Sequence, residues 1–153
     1  MSFLSAFKSA FASGAKELNK EYGKTEDFLH AVAASAALIA FADGTCEDSE
    51  KKKATELLTT HSQLSSLYTR SQIESVLGTS LTNAQTATGK QTLARQLTKV
   101  LTIPGADSMA EDVYLVAVDV ASANHNNKPG DDETRVLEKI ATLLHIDPSK
   151  FVF

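Results

Sequence analysis

The stretch FLHAVAASAALIAFADGTCEDSE, residues 28–50, decides the fold. From Phe28 to Ala42 it is apolar and rich in alanine, yet it carries His30 and Ser35, so it reads as a buried core helix and not as a membrane span. Thr25 is placed to cap this helix, with Glu26 and Asp27 in its first turn against the positive end of the helix dipole. Asp43-Gly44 breaks the pattern. Glu47-Asp48-Ser49-Glu50 then supplies an acidic helix start, followed by the apolar face Ala54, Leu57 and Leu58. The expected unit is a helix-loop-helix hairpin with an acidic elbow.

Residues 62–102 are rich in Ser, Thr and Gln, but Leu64, Leu67, Ile73, Val76, Leu77 and Leu81, then Leu93, Leu97, Val100 and Leu101, keep a helical period. Two helices broken near Thr88-Gly89 are predicted there. Pro104-Gly105 closes this middle section, and Asp107 or Ser108 is the expected cap of a second buried helix through Met109, Val113, Val116, Ala117 and Val120 toward Ala123. A loop at 124–130 follows. Asp131-Asp132-Glu133 opens the last helix, with core face Val136, Leu137, Ile140, Leu143 and Leu144, and Asp147-Pro148 is expected to stop it.

At the other end, Phe3, Phe7, Phe11, Leu18 and Tyr22 recur at helical spacing through residues 1–22. This face is expected to dock on the domain's own core. A membrane-surface anchor is the alternative.

The two halves echo each other. Setting Glu50 against Glu133 gives an offset of 83 (133 − 50), which aligns Ala54 with Leu137 and Leu57 with Ile140. Each half has a buried helix ending in small residues, a polar elbow, and an acidic cluster opening an amphipathic helix. Matching Asp43 to Asn124 needs an offset of 81, so the elbows are expected to differ by two residues.

Composition bounds the function. With 153 residues and 42% hydrophobic content, one domain over 1–153 buries a core without disulfides or a structural metal. Fifteen Lys and Arg against nineteen Asp and Glu give a formal charge of −4, which excludes the basic excess of a nucleic-acid-binding domain. The single cysteine, Cys46, forms no internal disulfide, and no signal-peptide pattern opens the chain, so the cytoplasm is the expected compartment.

The acidic elbows are the candidate chemistry. Folding of the first hairpin brings Asp43 toward Glu50, with Glu47 and Asp48 between them, and oxygen-rich clusters suit hard cations, Ca²⁺ or Mg²⁺ before Zn²⁺. The second elbow offers Asn124, Asp131, Asp132 and Glu133, with Asn126 and Asn127 nearby. Neither is an EF-hand, because Gly44 directly follows Asp43 and Glu50 comes too early. On spacing alone, carboxylates at helix starts serve first as caps, each contributing about 0.3–1 kcal/mol through the dipole. His30, His61 and His145 are expected as surface or interhelix residues, and His125, beside Asn124, is the one with a zinc alternative. The environment of Cys46 is mixed: neighbouring carboxylates oppose the thiolate and the helix start favours it. Lys51-Lys52-Lys53 reads as a solvated helix face. There is no nucleophile elbow, P-loop or dinucleotide fingerprint, so the expectation is a non-enzymatic protein.

The opening Met1-Ser2-Phe3-Leu4 with Ser13-Gly14 and Glu17-Leu18, the run Ile39 to Gly44 with its acidic sequel to Glu50, the second start Asp131-Asp132-Glu133, and the closing Ile146-Asp147-Pro148-Ser149-Lys150-Phe151 together resemble the TerB-type tellurite-resistance family. The resemblance covers nearly the whole chain. It implies an all-helical fold of about seven helices in two pseudo-repeated halves, acidic residues gathered near one surface, and a role in tellurite and other stress responses. It further implies metal binding or partner docking by the acidic cluster, with membrane-associated and calcium-binding stress proteins as partners and a location peripheral to the inner membrane. Carried over, the first site comprises Asp43, Glu47 or Asp48, and Glu50. The second retains Asp131, Asp132 and Glu133, while Asn124-His125 stands where the family's Asp-Gly is expected.

Two functions follow as expectations. One is a cation site held by the elbows. The other is an interaction module using the acidic surface and the Phe3, Phe7 and Phe11 face, without metal.

Overall fold

A computed structural model describes residues 26–103, 106–123 and 130–151. Among the described residues, seven α-helices run α1 (Asp27–Ala40), α2 (Asp48–Thr60), α3 (Ser62–Leu67), α4 (Arg70–Asn83), α5 (Ala87–Lys99), α6 (Ala106–Ala123) and α7 (Asp131–Leu143), with short 3₁₀ turns at Val100–Thr102 and Pro148–Phe151. No strand occurs among the described residues. The all-α expectation holds. The face carrying Phe3, Phe7 and Phe11, the Thr25 cap, Pro104-Gly105 and the 124–129 loop with Asn124 and His125 lie outside the described residues.

The alanine-rich α1 forms the axis of the bundle and packs most extensively against α4, α5 and α6. Phe28, Leu29, Val32, Ile39 and nearly every alanine between them are buried, so the helix is covered on all sides. Small side chains let several neighbours approach the same segment. Ser35 is the polar exception, and it donates its hydroxyl to Val32 O at 2.8 Å, so no donor is left unmade. Helix α6 is the second all-round buried element, with Val113, Val116, Ala117, Val120 and Ala121 in the core. Around these two, α2 and α7 are amphipathic. Ala54 and Leu58 bury one face of α2, and Leu137, Ile140 and Ala141 one face of α7.

Several boundaries depart from the sequence reading. Helix α1 begins at Asp27 with Glu26 at its N-cap and ends at Ala40, two residues before the expected limit. The middle section is three helices, and its break lies at Ala84–Thr86. Thr86 caps α5 by accepting from Gly89 N–H at 2.9 Å, which places Gly89 inside the first turn. A Cβ on Gly89 would collide with the Asn83 carbonyl, so glycine allows the close approach of the two chain segments. A second break precedes α4, where Thr69 and Gln72 form a reciprocal capping box. Asp107 and Ser108 lie within α6, which starts at Ala106, and do not precede it as caps.

The last helix stops before Asp147-Pro148. His145 adopts φ 57°, and the Ile146 and His145 amides donate to Ala141 O at 2.8 Å and Thr142 O at 3.2 Å, a Schellman closure without glycine. Asp147-Pro148 instead opens the final 3₁₀ turn. Asp147 Oδ1 accepts from the Ser149 amide at 3.0 Å and its hydroxyl at 2.7 Å, and proline fits the first position because no amide is needed there.

The internal echo survives with a sharper register. Asp48 and Asp131 open their helices 83 residues apart, and Thr60 and Leu143 end them at the same offset. One offset of 83 therefore relates the two amphipathic helices, and the expected two-residue difference between the elbows falls at Asn124, outside the described residues.

Candidate functional site

The first elbow is built locally. At Gly44 the chain turns through φ 93°, a left-handed conformation that glycine adopts without strain. Asp43 Oδ1 accepts from the Thr45 amide at 3.1 Å, closing an Asx turn, and lies 3.5 Å from the Thr45 hydroxyl. Glu47 and Glu50 form a capping box at the start of α2, in which the Glu47 amide donates to Glu50 Oε1 at 3.3 Å. Asp43 is exposed and Glu50 half-buried.

The second acidic start lies directly opposite. Asp43 and Glu50, together with Asp131, Asp132 and Glu133, line one cleft of about 350 Å³, floored by Ile39, Ala40, Ala42 and Gly130. Two helix N-termini, those of α2 and α7, therefore deliver carboxylates to a common space. Asp132 is also held by Arg135, whose Nη1 stands 3.3 Å from Asp132 Oδ1. Five carboxylates around one opening repel each other, and Lys53, one turn beyond Glu50, lines the same cleft and supplies one opposing charge.

Not every predicted residue takes part. Glu47 and Asp48 belong to the helix start and do not line the cleft. Among the described residues, no three His, Cys, Asp or Glu side chains are arranged to hold one metal ion. Lys53 was read from the sequence as part of a solvated face. Its place in the cleft was signalled by its i,i+3 spacing from Glu50, which puts both on one side of α2.

Cys46 is half-buried and packs against the core beneath this elbow. Burial pushes its thiol pKa up, Glu50 adds to the rise, Lys51 opposes it, and Asp43 and Asp48 add smaller increments. The thiol therefore senses the acidic cluster. Its sulfur lies 3.7 Å from Glu47 O.

No helix among the described residues is long and apolar enough to cross a membrane. No curated protein and no solved structure gives a significant match to the chain. A family model described as tellurite resistance protein TerB matches residues 29–153, from the first turn of α1 to the last residue and across both elbows, and the chain belongs to the TerB family.

Proposed function

We propose that this TerB-family chain serves tellurite and related stress responses as a non-enzymatic protein that takes up a divalent cation, Ca²⁺ or Mg²⁺ before Zn²⁺, in the cleft between its acidic elbows. The observation that carries the reading is the convergence of Asp43 and Glu50 with Asp131, Asp132 and Glu133 on one opening. Hard carboxylate oxygens from two rigid helix starts suit a hard cation, and a cation relieves the mutual repulsion of the acids. Partners in this reading are other stress-response proteins, including membrane-associated ones.

Thermal melts with Ca²⁺, Mg²⁺ or Zn²⁺ test this. A ligand held only by the folded chain at about 100 times its Kd adds roughly 2.7 kcal/mol, a rise of about 5–10 °C for a domain of this size. The rise should be lost in Asp43→Asn and in Asp132→Asn. Silence of all three cations would rule out the cation reading.

A second reading is supported by Lys53 in the cleft and by the engagement of Asp43 and Glu50 in local hydrogen bonds. Here the acidic surface docks a basic segment of a partner and needs no metal. A lysine-rich peptide titrated against the protein in the presence of chelator separates the two: salt-sensitive binding supports docking, and its absence together with cation-dependent melts supports the first.

A further inference from the structure

Helix α6 carries one carboxylate deep in its buried stretch. Asp119 lies between Val118 and Val120, with a side chain only 11% exposed, and its Oδ1 is buried with no hydrogen-bond partner among the described residues. Its Oδ2 stands 3.4 Å from Nε2 of His61, whose side chain is equally enclosed. A buried carboxylate is tolerated only when a partner compensates it, so the pair has to stay together in the folded chain.

The position of His61 gives the pair its meaning. Its backbone is the C-cap of α2, and its carbonyl accepts from the Ser65 amide at 2.9 Å in the first turn of α3, so the imidazole projects from a fixed base. Asp119 lies one turn before the described end of α6, the helix that leads into the second elbow. The contact therefore joins the far end of the helix bearing Glu50 to the helix preceding Asp131, Asp132 and Glu133. Eleven residues separate His61 from Glu50, about 16 Å along the axis, so a tilt of about 10° at the pin would move Glu50 by about 3 Å.

We infer that His61 and Asp119 are a positioning pair: they pin α2 to α6 and so set the distance between the two acidic elbows. Its relevance to ligand uptake rests on the cleft reading above, but the geometric claim does not, and it is tested without any ligand.

The test measures the width of the cleft by spin labels at Ser49→Cys and Lys139→Cys, both exposed and outside the cleft lining, in a Cys46→Ser background of the full chain. His61→Ala and Asp119→Ala should broaden the distance distribution or shift its mean by about 2 Å or more. His61→Gln, which retains a side-chain N–H donor, should restore the native distribution. If an alanine variant does not fold, His61→Asn and Asp119→Asn, milder shortening and neutralisation of the same pair, are measured in its place with the same expectation. A lowered melting temperature with an unchanged distance distribution would reduce the pair to an ordinary stabilising contact and overturn the inference. Shifted distances in the alanine variants of a chain that binds none of the cations would count against the cleft reading and leave this one standing.

Discussion

The two halves, α1 with α2 and α6 with α7, repeat one plan and divide their duties differently. In the first, the carboxylates are engaged close to home: Asp43 closes its own turn and Glu50 completes a capping box with Glu47. In the second, Gly130 at the N-cap makes no side-chain cap, and Asp131 and Asp132 are exposed. The buried helices differ in the opposite sense. Applying to α6 the offset of 83 that relates α2 and α7 sets Asp119 against Ala36 of α1, which is fully buried. The first half keeps an axis with no buried carboxylate and a self-capped elbow, while the second carries the enclosed Asp119–His61 pair and a helix start whose N-cap has no side chain. An acidic helix start is thus a cap and a ligand donor in proportions set by its neighbours.

Breaking the comparison at the axis gives the largest effect. Ala36→Asp places the α6 residue at a fully buried position of α1 and should cost about 3–5 kcal/mol or prevent folding, read by urea unfolding. Near-native stability would show that α1 is not the sealed axis described. The elbows come next. Glu47→Ala should lower stability by about 0.5–1 kcal/mol through loss of the capping box, whereas Gly130→Ser should raise it by about 0.2–0.4 kcal/mol by supplying the missing cap. No loss in Glu47→Ala, or no gain in Gly130→Ser, would remove the contrast between a self-capped first elbow and an uncapped second.

The smallest effect concerns Cys46. Its raised pKa leaves less thiolate at a given pH, so alkylation near pH 8 should be slower than for a free thiol and should accelerate in Glu50→Gln, which removes the larger of the carboxylate contributions. A cation in the cleft should accelerate it as well. Rates that ignore both changes would detach the thiol from the acidic cluster.

Much of the fold was legible because hydrophobic period and helix-start chemistry are local signals. The unbroken apolar run of α1, the Asp-Gly break and the acidic starts of α2 and α7 each depend on neighbours in sequence. The middle helices were harder. Where Ser and Thr recur every few residues, many positions can cap, and Thr69 and Thr86 are distinguished only by the partners they meet, Gln72 and Gly89. The stop at His145 has no plain sequence signal, because a left-handed histidine is marked by no residue type as Pro148 marks a helix end. Within the site, the repeat offset indicated two equivalent elbows, but their arrival at one cleft depends on the packing of α1 against α6 and α7, which periodicity does not encode. Asp119 was visible as a charge within an apolar helix. Its partner His61 is 58 residues away, and only tertiary structure joins them.

The central claim is that the two elbows serve one cleft and one cation. Titration of the isotope-labelled full chain with Ca²⁺, followed by amide chemical shifts, tests it most directly. The account predicts that amides of residues 43–50 and 130–133 move together along one saturation curve, and that Asp132→Asn weakens the response at both. Movement confined to one elbow, two curves with different midpoints, or no movement at either would contradict it.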